Sequence, residues 1–219
     1  MKQELIIVGA GGLGREVLWQ IQENKTEYIK YTLLGFVDDA PELIHKKVNG
    51  YPVLGNIEWL KNYQKQVSVV IAIGCSKTRK KIAIQLEKNS NLRFPSIFSS
   101  GVKMSEWVTY GKGCIFCLNS IATVNIQIGD YFISNWNCTV GHDCVIGDFV
   151  TLYPNVNISG NVSIGDETEI GTGVQIIQEH QIGSQCIIGA GSVVIRDIPD
   201  KSLAVGVPTR IVEKDINNL

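Results

Sequence analysis

From Ile128 onward the chain places a residue of one class every six positions: Ile128, Ser134, Val140, Ile146, Leu152, Ile158, Ile164, Ile170, Ile176, Ile182, Ile188 and Val194, all aliphatic except Ser134. Four positions after each comes a second column of mostly small residues. It reads Phe132, Cys138, Cys144, Val150, Val156, Val162, Thr168, Val174, His180, Cys186, Ser192 and Ile198, and continues upstream in phase to Val102. Neither helical spacing nor strand alternation produces such a beat. It predicts a solenoid of short strands joined by tight corners, in which each repeat buries its aliphatic only by stacking on its neighbours. The position after the aliphatic is Gly at Gly129, Gly141, Gly147, Gly165, Gly171, Gly183 and Gly189. Glycine suits a corner because positive φ costs it little. If three hexads close one coil, residues eighteen apart stack on one another.

Residues 4–98 have a different rhythm. ELIIVG (4–9), YTLLGFVDD (31–39) and VSVVIAIG (67–74) read as buried strands, whereas REVLWQIQ (15–22) and KTRKKIAIQLEK (77–88) carry apolar residues at helical spacing. This alternation predicts a small parallel sheet, a half-Rossmann βαβαβ unit. The expected organisation is an α/β domain over 1–98, a parallel β-helix over 99–200 and a C-terminal tail over 201–219.

Composition narrows the function classes. With 219 residues, 44% hydrophobic and 19% charged, the chain can bury the cores of two modest domains. A net charge of −1, with KTRKKI (77–82) as the longest basic cluster, argues against nucleic acid or anionic membrane as partner. No stretch approaches the roughly 20 apolar residues of a membrane span, and the N-terminal apolar run is too short for a signal segment, so a cytoplasmic protein is expected. The six cysteines include no CxxC pair. Cys114, Cys138, Cys144 and Cys186 fall in the small inward column, where a thiol serves as an apolar filler. Cys114 and Cys186 would lie four coils apart, roughly 19 Å at ~4.8 Å per coil and far beyond disulfide reach. Three scattered histidines predict no metal site. His45 reads as surface, and His180, in the inward column, as a packed or hydrogen-bonded histidine.

His142 and Asp143 form the only adjacent His–Asp pair in the chain. The inward slots of their hexad are Val140 and Cys144, which leaves the pair facing outward. Imidazole, with an ordinary pKa near about 6.5, suits a general base at neutral pH, and a neighbouring carboxylate can set its tautomer. Gly160, eighteen residues on, would stack beside His142; it is either a backbone donor brought close to a reacting carbonyl or a plain corner glycine. In the first domain Gly9, Gly11 and Gly14 fit G-x-G-x-x-G between a strand and a helix, and Asp38 and Asp39 end the next strand. Read alone this suggests a dinucleotide oxidoreductase. Fewer than 100 residues supply only half of such a sheet, however, and the solenoid offers no nicotinamide site. Half a doubly wound sheet suits a mononucleotide whose diphosphate rests on a helix N-terminus, with an unliganded turn as the bland alternative.

Four stretches together, GAGGLGRE (9–16), GFVDD (35–39), GHDCVIGDF (141–149) and AVGVPTR (204–210), resemble the NeuD/PglD family of hexapeptide-repeat sugar O-/N-acetyltransferases. The resemblance implies a left-handed parallel β-helix of triangular section, against the usual right-handed crossover. It also implies an acetyl-CoA-dependent N-acetyltransferase acting on a UDP- or dTDP-linked 4-amino-4,6-dideoxy sugar for surface glycans, with His142 as base and Asp143 as its orienter. Gly160, Ala190, Gly191, Gly206, Pro208 and Arg210 would meet acetyl-CoA. Gly11, Gly12, Leu13, Asp38, Asp39, Gly74, Arg79 and Thr151 would meet the nucleotide sugar. The expected assembly is a homotrimer with its active sites between subunits. Two positions depart from the family pattern: Leu13 and Thr151 stand where many members have histidine. O-acetylation of a sialic acid or other sugar hydroxyl, and a non-catalytic nucleotide-binding scaffold, remain as alternatives.

Overall fold

In the computed structural model, which describes residues 2–214, the N-terminal segment forms β1 (Gln3–Val8), α1 (Gly12–Glu23), α2 (Lys25–Lys30), β2 (Tyr31–Val37), β3 (Lys47–Val48), β4 (Tyr51–Gly55), α3 (Ile57–Lys61), β5 (Val67–Ile71), α4 (Ser76–Leu86) and β6 (Leu92–Arg93). The sheet order is β3-β4-β2-β1-β5-β6, parallel except for the β3–β4 pair. That pair is a hairpin turned by Asn49 and Gly50, both at positive φ, as a tight two-residue turn requires. Continuous apolar runs made β1, β2 and β5 readable in advance. The strand at β4, interrupted by Pro52, and the short helices α2 and α3 lack a full period and are additions to that reading.

The hexads close into a left-handed parallel β-helix with three flat faces. The first face begins at Ile97–Phe98 and continues through Ile115–Phe116, Ile133–Ser134 and Thr151–Leu152 to Ser202–Val205, where Arg210–Lys214 pairs antiparallel. The helix therefore starts before residue 99 and runs beyond 200, because Ile97 already donates to Cys114 O at 2.8 Å, one coil ahead. The second face runs from Lys103–Met104 to Val193–Val194, and the third from Val108–Tyr110 to Gln181–Ile182. Partners along each face are eighteen apart, as in Thr139↔Asn157. Both predicted columns point inward: Val140, Leu152, Ile164, Ile176 and Ile188 are buried, as are Cys114, Cys138, Cys144 and Cys186. Those four thiols also donate to carbonyls of the next turn, for example Cys144 Sγ to Ser159 O at 3.2 Å. All six cysteines are free.

The glycine column does not do what was expected of it. None of its seven members has positive φ; the left-handed residue is two positions later, at Tyr131, Asp143, Phe149, Glu167, Gly173, Gln185 and Gly191. The glycines are required by close approach between coils. A Cβ on Gly141 would lie 2.8 Å from Gly160 N, and one on Gly171 2.6 Å from Ala190 N.

The first face carries the N-terminal domain. Val17, Leu18 and Ile21 of α1 pack with Ile97, Ile115, Cys117 and Ile133 in one buried cluster, with Leu13 and Trp136 at its margin. Gln20 Oε1 accepts from Ser99 Oγ at 2.6 Å and Leu118 N at 2.9 Å, which fixes the helix on the wall. The chain has no helix among the described residues long and apolar enough to cross a membrane.

Candidate active site

His142 lies on the edge where the second face turns into the third. The strand Thr139–Val140 delivers it there, and Asp143 makes the corner at φ 58. Asp143 N donates to Val124 O at 3.1 Å one coil back, and Asn161 N donates to His142 O at 2.8 Å from one coil ahead, so backbone bonds on both sides hold the corner. Both side chains are exposed, 57% for His142 and 46% for Asp143, which leaves the imidazole open to a ligand. His142 Nδ1 and Asp143 Oδ2 are 2.8 Å apart. An ionised carboxylate only accepts, so this contact puts the proton on Nδ1 and leaves the Nε2 lone pair free. Asp143 is held below the usual carboxylate range, first by the hydrogen bond from His142 and then by one from Asn125, whose Nδ2 lies 3.1 Å from Oδ1. Asn125 was invisible to the sequence reading; its signal is that it stands eighteen residues before Asp143, in the same left-handed column.

Gly160 lies directly under the imidazole. A Cβ there would overlap the ring, 2.9 Å from Nδ1 and closer still to Cε1 and Nε2. The glycine is thus what lets an imidazole occupy this edge, and its N–H has no acceptor among the described residues. Gly160→Ala should turn the imidazole off Asp143 and cut kcat/KM by about 10-fold or more, since a misaimed base loses much of the ~10²–10⁴-fold that base catalysis supplies. Because the exposed ring can swing into solvent, Tm should move little. Combined with His142→Ala the substitution should add nothing, and a further additive loss would contradict this coupling.

Ala190 and Gly191 are exposed on the edge between the first and second faces, toward the C-terminal end of the helix. The exposed loop at Gly206 and Pro208 folds back on the second face there, where Thr209 N donates to Val193 O at 2.9 Å and Gly206 N to Ser192 Oγ at 3.0 Å. Arg210 follows, exposed, at the start of the last strand. The residues expected to meet acetyl-CoA therefore border the second face: Gly160, beside His142, on one edge, Ala190 and Gly191 on the other, and the loop at its end.

In the first domain the three motif glycines divide their roles. Gly14 packs against Gly9 O with no room for a Cβ, and a Cβ on Gly9 would lie 2.9 Å from Ala72 O. Gly11 and Gly12, at the start of α1, face open space, and no side chain caps that helix. A bare helix N-terminus with unobstructed glycines suits a diphosphate. Asp38 shapes this loop, with Oδ2 accepting from Ala10 N at 2.8 Å and Oδ1 from Ala40 N at 2.9 Å. Asp39 is exposed and uses Oδ1 to hold Ile57 N at 2.9 Å.

Arg79 and Thr151 correct the sequence reading, which gave both to the substrate. Arg79 is fully buried. Its Nε donates to Tyr131 O at 3.0 Å, Nη1 to Ile73 O at 2.6 Å and Gly74 O at 2.9 Å, and Nη2 to Phe149 O at 2.6 Å and Thr151 Oγ1 at 2.9 Å. Thr151, also fully buried, donates its hydroxyl to Gly74 O at 2.7 Å. Neither side chain is left to meet a ligand. Together they tie the Gly74 loop to the first face, a contact that α4 and a strand 72 residues apart make only in the fold. The exposed side of that loop is instead flanked by Tyr153, whose hydroxyl donates to Glu169 Oε2 at 3.1 Å. Glu169 Oε1 in turn accepts from Ser76 N at 2.8 Å, filling the N-terminus of α4.

His180 is partly buried, with Nδ1 3.0 Å from Asp197 Oδ1, as a hydrogen-bonded histidine of the inward column should be. His45 is exposed. No group of three or more His, Cys, Asp or Glu among the described residues is arranged to hold a metal.

The PglD N-terminal domain model matches residues 4–86, and the bacterial transferase hexapeptide model matches residues 143–178. WeeI from Acinetobacter baumannii is 33% identical, with 95% of this chain and 99% of that one covered and a TM-score of 0.84. The acetyltransferase domain of PglB from Neisseria gonorrhoeae, solved with acetyl coenzyme A, is 28% identical over 97% of this chain and all of that one, with a TM-score of 0.88. PerB from Caulobacter crescentus, solved with CoA and GDP-perosamine, is 29% identical over 96% and 97%, with a TM-score of 0.85. Comparison with curated proteins finds no match. An α/β domain matched to PglD, a hexapeptide β-helix carrying His142 at its edge, and full-length likeness to these enzymes place the chain in the NeuD/PglD family of hexapeptide-repeat sugar acetyltransferases.

Proposed function

We propose that the protein transfers the acetyl group of acetyl-CoA to the amine of a nucleotide-linked amino sugar, with His142 as general base. The observation that carries the reading is the His142–Asp143 contact of 2.8 Å over Gly160, which leaves Nε2 as an exposed, correctly tautomerised acceptor. The neutral amine attacks the thioester carbonyl, and its proton passes to His142 Nε2 as the C–N bond forms. The C–S bond then breaks, and the CoA sulfur leaves and takes up a proton. Asp143 stabilises the imidazolium formed midway. The Gly160 N–H serves as donor to the carbonyl oxygen as it gains charge. No enzyme nucleophile is needed. Lowering the pH should stop the reaction twice over, since an imidazolium accepts no proton and an ammonium makes no attack.

Likeness to PerB and to the PglB domain supports the substrate class, since those enzymes were solved with GDP-perosamine and acetyl coenzyme A respectively. Gly11, Gly12 and Asp39 hold the nucleotide in this reading, and Gly74 borders it. Leu13, partly buried against the same cluster as Trp136, lines the acceptor side with apolar surface where histidine would offer a hydrogen bond.

Within one chain the two halves of this site are apart. The glycine loop belongs to the domain on the first face, whereas His142 is on the edge opposite that face. A homotrimer in which His142 meets the glycine loop of a neighbouring copy completes the site. Exposed Val124, Val145, Ile177 and Ile195 around the His142 edge supply apolar surface for such contact.

A thiol-release assay with acetyl-CoA against UDP-, dTDP- and GDP-linked 4-amino sugars, with free sialic acid alongside, tests the proposal. Turnover with a nucleotide amino sugar is expected. Turnover confined to sialic acid would replace it with O-acetylation, and nucleotide binding without any acetyl transfer would replace it with the scaffold reading.

A further inference from the structure

We infer that Asn125 is a positioning residue for the transfer reaction: its amide fixes the Asp143 carboxylate in the rotamer that holds the His142 tautomer. The inference rests on the proposed role of His142. Asp143 is exposed and lies on a corner, where a free carboxylate would rotate, and its two oxygens are held from opposite sides. Oδ2 receives His142 Nδ1 at 2.8 Å and Oδ1 receives Asn125 Nδ2 at 3.1 Å. Asn125 is presented by the preceding coil, at φ 56, in register with Asp143 at φ 58. Asparagine suits both demands of that position, since it tolerates the left-handed backbone and offers an uncharged donor.

The electrostatic surroundings make the role specific. Stacked before and after Asp143 in its own column are Asn125 and Asn161, both neutral, and the side chains that bear on its carboxylate are His142 and Asn125. The next charged side chains along this edge, Glu106 and Glu179, are two coils away on either side, about 10 Å at the ~4.8 Å strand spacing. An aspartate at 125 would therefore be the single new charge acting on the pair. It would repel Asp143 and favour the imidazolium.

Two substitutions preserve the left-handed corner while changing the amide. Asn125→Gly removes the donor and keeps the backbone; Asn125→Asp exchanges a donor for a negative acceptor of the same shape. With acetyl-CoA and the nucleotide amino sugar that the wild type turns over, Asn125→Gly should lower kcat about 5- to 20-fold, a part of the ~10²–10⁴-fold available from the base, with both KM values within about two-fold. Asn125→Asp should move the acid limb of the kcat/KM profile upward by about half a pH unit or more, since a nearby like-signed charge raises the proton affinity of the pair. A residue that merely stabilises the coil would lower Tm and leave that limb in place. Wild-type kcat and an unmoved acid limb in both variants would overturn the inference even if His142→Ala is inactive. Full activity of His142→Ala would overturn it together with the base assignment.

Discussion

His142→Ala should lower kcat with the nucleotide amino sugar by about 10²–10⁴-fold, the range that a positioned general base supplies. The binding surfaces should survive, because the imidazole is exposed and its loss opens no cavity in the core. Tm should stay within about 2 °C of the wild type, and the KM for each substrate should change little, the pattern of an interaction made only in the transition state. The residual rate should no longer carry the protonation of an imidazole in its pH profile and should follow the amine alone. A variant within about three-fold of the wild type would remove His142 from the chemistry and leave positioning by the two domains as the whole source of rate.

The features legible in advance were those that a repeat exposes directly. A six-residue period requires a coil of fixed length, so the stacking of Gly160 on His142 and the inward placement of Cys138 and Cys144 followed from counting. Counting also isolates the phase of Asp143 and hence its outward direction. It does not reveal which of three equivalent faces the first domain covers. That choice is made by side chains far apart in sequence, such as Gln20 meeting Leu118 across 98 residues, and it puts His142 on the edge opposite the glycine loop. The glycine column illustrates a different limit. Tight corners and tight stacking both demand glycine, and only the backbone angles separate them: Gly141 is needed for its contact with the next coil, while Asp143 takes the left-handed turn. Arg79 was given to the nucleotide sugar on the family resemblance, and nothing local in the sequence marks it as buried. Its actual acceptors are main-chain carbonyls of corners 52 and 70 residues downstream, which no local pattern encodes.

Arg79→Met should destabilise the fold by about 3 kcal/mol or more, the largest single-residue effect on stability expected here. Replacing a buried ion pair by apolar residues is often neutral, because both charges are removed together. Arg79 offers no such exchange. Its acceptors are the carbonyls of Ile73 and Gly74, which are partly buried, and of Tyr131 and Phe149, which stay buried and polar once the guanidinium is gone. Burial already lowers the guanidinium to about 10, yet it stays protonated at neutral pH, as a donor to several carbonyls must. Tyr131 and Phe149 also keep bulky side chains at positive φ, 55 and 58, stacked with ring centroids 5.0 Å apart. That conformation is unfavourable for large residues; backbone bonds from Tyr131 N to Lys112 O at 2.7 Å and from Phe149 N to Asp130 O at 2.8 Å hold the two corners, and Arg79 adds a donor to the carbonyl of each. A loss of this size corresponds to roughly 6–12 °C in Tm for a chain of this length. Arg79→Lys should recover little, since one ammonium cannot span acceptors on two domains as the planar fork does. Because the same guanidinium fixes the Gly74 loop, the folded fraction of either variant should show a raised KM for the nucleotide sugar, with the KM for acetyl-CoA unchanged. Tm values within about 2 °C of the wild type would show that the two domains hold together without this clasp.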